Sequence, residues 1–232
     1  MELKNFSLSD GIQNKLNSEN MMNINKVLVL SPHTDDGELG AGGTIVKFLE
    51  EGKEVFYVAF SSCEDSLPQG LAQDTLRKEC RRSTKTLGIP PQNVVILDYR
   101  VRTFPQYRQE ILEQIIQLKE KYKPDLILVP SSHDVHQDHG VIYVESIRGF
   151  KKEASIWGYE HPWNNLKFDT DIIVVLGKRH LEKKLSCLKK YNSQMGKSYM
   201  NEKNVLALNC VRGSQIDEAY AEAFELIRFI IH

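Results

Sequence analysis

The 232-residue chain reads as an α/β fold with a mostly parallel sheet, on three observations. Short continuous apolar runs, such as Val27-Leu28-Val29-Leu30 and Leu126-Ile127-Leu128-Val129, have the texture of strands buried on both faces. They alternate with longer segments whose apolar residues recur at helical spacing. Gly and Pro punctuate the boundaries, as expected where strands and helices take turns along a single sheet.

Residues 1–24 are polar without a sustained period and read as an arm preceding one domain, residues 25–232. Val27–Leu30 is the first strand. A helix fits Gly42 to Glu51 and is ended by Gly52; Val55 to Phe60 is the second strand. A helix over 72–87 is stopped by Gly88 and the Pro90-Pro91 pair. Val94–Leu97 is the third strand. Tyr107, Ile111, Ile115, Leu118 and Tyr122 then form one helical stripe that Pro124 ends. Leu126–Val129 is the fourth strand, and strands at 154–159 and 170–176 follow. Helices are expected at 178–191 and at 217–231, the latter with Tyr220, Phe224, Ile227 and Ile231 on one face.

Composition excludes several function classes. Thirty Lys plus Arg against 31 Asp plus Glu give a net charge of −1, so no basic face is available for phosphate-driven nucleic-acid binding. The four cysteines, at 63, 80, 187 and 210, lack the pair spacing of a thiolate metal site and read as reduced thiols. The amino-terminal segment has no apolar signal-peptide core, and no apolar run approaches the ~20 residues of a membrane helix. The expectation is a cytoplasmic protein without a transmembrane segment, with homo-oligomerisation left open.

The chemistry concentrates after two strands. Ser31-Pro32-His33-Thr34-Asp35-Asp36 follows the first, and Ser131-Ser132-His133-Asp134-Val135-His136-Gln137-Asp138-His139 follows the fourth. Four of the seven histidines lie here, interleaved with four aspartates. Ligands of open α/β sheets sit beyond the carboxyl ends of the strands, and in a 3-2-1-4 order the first and fourth strands are neighbours. The two loops should therefore face one crevice. Two imidazoles and a carboxylate with an open fourth position make a catalytic zinc site, and His33, Asp36 and His139 are the proposed ligands. Asp35, beside them, is free to act as base. His136, three residues before His139, would donate to a developing oxyanion or leaving amine, with Asp138 orienting its ring. His133 has no assigned role.

Weaker candidates surround these. Gly37, Gly40, Gly42 and Gly43 do not spell a dinucleotide fingerprint, because Ile45 stands where its last glycine belongs. They read instead as sites of close packing beside the metal. Arg77 could point into the crevice from its helix, and Tyr159-Glu160-His161-Pro162-Trp163-Asn164 is a candidate substrate loop, giving Glu160 and Trp163 as contacts.

The segment from Ser31 to Thr44 resembles the (A/S)PHxDD-x-E-x-G-x-GGT signature of the PIG-L or LmbE-like de-N-acetylases, and His136-Gln137-Asp138-His139 is similar to their HPDH motif. Arg77-Lys78-Glu79 with Leu87-Gly88, Tyr191-Asn192-Ser193-Gln194, Arg212-Gly213-Ser214 and Tyr220-Ala221-Glu222-Ala223-Phe224 extend the likeness, in order, over about 26–228. Thr34, Gly37 and Gln137 depart from the usual Pro, Glu and Pro, and Asp134 stands where some members carry a Tyr.

The resemblance implies a Rossmann-like three-layer sandwich and hydrolysis of an acetamide on an N-acetylglucosamine-type sugar or glycoconjugate. It implies Zn2+ as cofactor, with Fe2+ or another divalent cation as alternatives. Position by position it implies the same ligands, with Asp35 as base, His136 as acid or oxyanion stabiliser, Asp138 tuning His136, and Arg77 near the substrate. Two other readings remain at this stage. One is a non-haem iron oxygenase built on His33, Asp35 and His139; the other is a non-catalytic sugar-binding module.

Overall fold

The computed structural model describes residues 24–231. Thirteen principal elements alternate along it: β1 (Lys26–Ser31), α1 (Asp36–Glu50), β2 (Glu54–Ala59), α2 (Thr75–Leu87), β3 (Val94–Ile96), α3 (Arg108–Tyr122), β4 (Leu126–Pro130), α4 (Gln137–Phe150), β5 (Ser155–Tyr159), β6 (Ile172–Val175), α5 (Lys178–Leu188), α6 (Glu202–Ser214) and β7 (Ala221–Arg228). The expected amino-terminal arm lies outside the described residues save for Ile24, which is buried.

The seven strands form one sheet in the order β3-β2-β1-β4-β5-β7-β6. The first five are mutually parallel, and β7 runs antiparallel to both neighbours. Period-2 alternation splits each central strand between two cores. Val27, Val29, Tyr57, Leu126 and Leu128 face α1, α2 and α5, whereas Leu28, Leu30, Val58, Ile127 and Val129 face α3 and α4. The result is the expected three-layer sandwich. Stripe residues Ile111, Ile115, Leu118 and Tyr122 all lie in the second core.

Three elements differ from expectation. The first helix begins at Asp36 rather than Gly42, so the glycine-rich segment is its opening turns. The reason is contact. A Cβ on Gly37 would lie 2.7 Å from the Tyr57 ring, and one on Gly40 would lie 2.6 Å from the Tyr159 ring. Helix α6 had no sequence assignment; Asn201 caps it, its side-chain oxygen accepting the Lys203 N–H at 2.9 Å.

The helix expected over 217–231 is instead strand β7. Its Ala-Glu-Ala-Phe-Glu-Leu sequence has helical propensity, which long-range pairing overrides. β7 fills the space between β5 and β6. Glu222 is held there by the ammonium of Lys184 at 2.6 Å and by the N–H groups of Gly43 and Thr44 at 2.9 and 2.7 Å.

Candidate metal centre

Because β1 and β4 are adjacent, pairing Val27 with Leu126 through Val29 with Leu128, their carboxyl-terminal loops meet. The first loop delivers His33, Asp35 and Asp36, the last on the opening turn of α1. The second delivers Asp134, His136 and, from the first turn of α4, Asp138 and His139.

Three donor atoms converge. Nδ1 of His33 lies 3.0 Å from Oδ2 of Asp36, Nε2 of His139 lies 3.1 Å from that oxygen, and the two nitrogens are 3.2 Å apart. A tetrahedral ion with bonds of 2.0–2.1 Å keeps its donors about 3.3 Å apart, so the triangle has the dimensions of one face of such a site. The outward nitrogens are tied to carboxylates: Nδ1 of His139 to Asp134 at 2.6 Å, and Nε2 of His33 to Asp138 at 3.1 Å. With its outward N–H committed to a carboxylate, each imidazole would present its inner nitrogen to a bound cation, the usual second-layer arrangement of metal-ligating histidines. His33, Asp36 and His139 fit a small divalent cation.

The electrostatics agree with that fit. Burial opposes charge on His33 and His139, yet Asp36, with Asp138 and Asp134 behind it, outweighs burial and lifts them to about 10 and about 9. Burial likewise opposes charge on Asp36, but the two histidines hold its carboxyl well below the ordinary range. Buried carboxylates thus create a demand for positive charge at this point. Asp35 behaves differently: burial, then the charge of Asp36, raises it to about 6.

His136 stands at the N-cap of α4, where its Nδ1 accepts the N–H of Asp138 at 3.2 Å. That bond places the ring proton on Nε2. Burial and the neighbouring His139 and His33 lower its pKa to about 4, so the ring is a neutral donor near neutrality. Its ring packs edge-on to that of His33, with centroids 4.9 Å apart.

The donors open into a cavity of about 230 Å³ whose wall includes Asp35, His136 and Trp163. Arg102 and Lys197 complete its charged lining. Arg102 adopts a left-handed backbone, φ 68°, while its N–H donates to Oδ2 of Asp138 at 2.5 Å. Strained backbone of this kind recurs where a side chain must be aimed.

Several expectations need correction. The Asp138 carboxylate does not orient the His136 ring, which only its backbone N–H reaches; the carboxylate turns to His33 and accepts the N–H groups of Arg102 and Phe104. Glu160 is turned away from the cavity because both its oxygens accept from the Arg212 guanidinium. Arg77 is absent from the cavity wall as well: it donates to the Ile96 carbonyl at 2.9 Å and pairs with Asp98. His133 pairs with Asp169 at 3.3 Å.

Residues with no role in the sequence reading also support the site. Asp134 orients His139. His161, fully buried, donates from Nε2 to the Asp36 carbonyl at 3.0 Å and stacks on Trp163. Its position directly after β5, on the same sheet edge, was the available signal. The carboxylate meeting both imidazoles is that of Asp36, so the oxygenase triad drawn through Asp35 is not the cluster that forms, and the scaffold is not all-β.

Fold and donor set together define an α/β protein with a His/Asp/His cation cradle beyond the carboxyl ends of β1 and β4. The PIG-L family model, described as GlcNAc-PI de-N-acetylase, matches residues 28–147, and the chain belongs to that family. It is 29% identical over 142 residues to the diacetylchitobiose deacetylase of Thermococcus kodakarensis, a match covering 56% of this chain and about half of that relative, 52%. The fold is similar to that of N,N′-diacetylchitobiose deacetylase from Pyrococcus horikoshii, with TM-score 0.74, 22% identity and coverage of 97% and 95% of the two chains. It is also similar to 4-carboxy-2-hydroxymuconate hydratase from Pseudomonas putida KT2440, with TM-score 0.73, 17% identity and coverage of 90% and 98%.

Proposed function

We propose that the protein is a divalent-metal-dependent hydrolase that removes the acetyl group from an N-acetylated amino sugar or its conjugate, with zinc as the metal. The fold is shared with a hydratase, so the reading rests on the site and the family. The observation that carries it is the convergence of His33, Asp36 and His139 beside a free carboxylate, Asp35, and a neutral imidazole, His136.

A divalent cation held by His33, Asp36 and His139 supplies Lewis-acid polarisation of an amide carbonyl and makes a water acidic enough to lose a proton near neutrality. The chain's own groups do the rest. Asp35, poised at about 6, takes a proton from the attacking water, a step worth about 10²–10⁴ in rate. Nε2–H of His136 donates to the oxygen that gains charge as the acetamide carbon becomes tetrahedral. The C–N bond then breaks, the proton held by Asp35 passes to the departing amine, and acetate is released. Asp138 and Asp134 hold the two ligand rings in their tautomers.

The test is acetate release from N-acetyl sugars by metal-loaded protein, with and without a chelator. Loss on chelation and recovery with zinc support the reading; no acetate from any N-acetyl sugar or glycoside in a broad panel counts against it. Asp35→Asn with full metal content should be nearly inactive. Unchanged turnover in that variant would remove Asp35 from the role of base.

A further inference from the structure

The Tyr191-Asn192-Ser193-Gln194 segment has no part in the chemistry above, yet Gln194 forms part of the wall of the catalytic cavity. It closes a short 3-10 turn, Asn192–Gln194, between α5 and α6. The turn is held at both ends. The hydroxyl of Tyr191, which is fully buried, lies 2.5 Å from the Thr34 carbonyl and 2.8 Å from a carboxyl oxygen of Glu38. Ser193 gives both its donors to Glu79 on α2, the backbone N–H at 3.0 Å and the hydroxyl at 2.6 Å. Glu79 is 2% exposed, and a buried carboxylate requires such partners.

Polarity then propagates along the turn. A carboxylate only accepts, so the one hydroxyl proton of Ser193 points at Glu79 and the Ser193 oxygen is left as an acceptor. The Gln194 amide meets that oxygen at 3.0 Å, and the atom it presents there is the donor, Nε2. Its other end, Oε1, is thereby turned away from Ser193, and among the described residues no donor bonds it. Gln194 is 3% exposed and lines the cavity, so the cavity is where that oxygen can find a partner. An enclosed amide oxygen without a donor is costly. A ligand that brings an N–H or O–H to it removes that cost.

We propose that Gln194 is a specificity-determining residue whose Oε1 accepts a hydrogen bond from the bound amino sugar, from its acetamide N–H or from a ring hydroxyl. Glu79 is its positioning residue, acting through Ser193 without touching the substrate. The proposal rests on the deacetylase reading and deepens it. In Glu79→Gln the introduced amide can donate to the Ser193 oxygen. The Ser193 proton is then free to turn to Gln194, whose amide can flip and present a donor to the cavity. A change at Glu79 thus reaches the substrate by reversing the polarity of the relay.

Acetate release by metal-loaded wild type, Gln194→Met, Ser193→Ala and Glu79→Gln is measured on the methyl β-glycoside of N-acetylglucosamine. Gln194→Met should keep its metal and its kcat while KM rises about three- to tenfold, the order of one net hydrogen bond. Glu79→Gln and Ser193→Ala should raise KM in the same direction, and both leave Gln194 in place, so they test the relay free of any packing change at 194. Analogues then locate the donor: the O-acetyl ester at the same carbon, which lacks the N–H, and the mono-deoxy sugars, each lacking one hydroxyl. The KM penalty should vanish on the ester if the acetamide N–H is the partner, or on one deoxy sugar if a hydroxyl is. A merely structural role of Glu79 would lower the denaturation midpoint without that substrate dependence. With an active wild type, an unchanged KM in Gln194→Met, or a penalty equal on every analogue, overturns the contact. A wild type that releases no acetate from any N-acetyl sugar removes the deacetylase reading, and this proposal with it.

Discussion

Asp138 faces His33 across the centre: Oδ2 of the carboxylate lies 3.1 Å from Nε2 of the imidazole, while only the backbone N–H of Asp138 reaches His136. A carboxylate so placed fixes the ligand's tautomer and raises its basicity. Asp138→Asn should therefore weaken zinc binding about 10–100-fold, read by competition with a chromophoric chelator, with a smaller loss of kcat at saturating metal. Unaltered affinity with a reduced kcat would return Asp138 to the service of His136.

His136 belongs to a His33/His136/His139 group whose potential donor atoms lie within 4.8 Å of one another, so its role is separable by experiment. As a hydrogen-bond donor to the oxyanion its removal should leave one equivalent of metal and lower kcat about 10²–10³-fold. Metal analysis of His136→Ala beside its turnover reads this. Loss of the metal itself would make His136 a ligand.

A pH-dependent contribution to stability is expected from Glu38, fully buried beneath the catalytic loop. Its carboxyl is bonded by the Tyr57 and Tyr191 hydroxyls, which also contact the Thr34 carbonyl at 3.1 and 2.5 Å. Burial raises it from 4.5 to about 7 despite those bonds. The folded state therefore binds this proton more tightly than the unfolded chain does. The associated stability is fully present below 4.5 and is lost as pH rises through about 7. In urea unfolding from pH 5 to 8, Glu38→Gln should be less pH-sensitive than the wild type across that window. Identical pH profiles would show that Glu38 is not the titrating group.

Gly40 sits on α1 between Asp36 and the sheet. An added Cβ would meet the Tyr159 ring at 2.6–2.7 Å, and that ring is anchored by its hydroxyl donating to the Leu30 carbonyl at 3.0 Å. Gly40→Ala should destabilise the protein by about 1–3 kcal/mol through overpacking, read as a lower denaturation midpoint. An unchanged midpoint would mean that the helix can move away from β5 without cost.

Much of this was legible in the residues. The buried runs at Val27 and Leu126 predicted adjacent parallel strands, and adjacency alone brought His33, Asp36 and His139 into one crevice. Local pattern failed where tertiary contact decides the outcome. Ala221–Arg228 has helical composition, yet it is pinned as a strand by the Glu222–Lys184 pair, which no periodicity displays. Asp134 drew notice only for not being a tyrosine, and its bond to His139 depends on the turn between β4 and α4. Glu160 looked like a substrate contact because Arg212, 52 residues later, is invisible as its partner until the chain is folded.

The most direct test of the central claim is acetate release by protein stripped of metal and titrated back with zinc, using a glycoside of N-acetylglucosamine as substrate. The account predicts no turnover without metal and activity that rises linearly to a break at one equivalent, with His33→Ala and His139→Ala failing to regain it. Full activity in the stripped protein, or a fully loaded protein that releases no acetate, would contradict it.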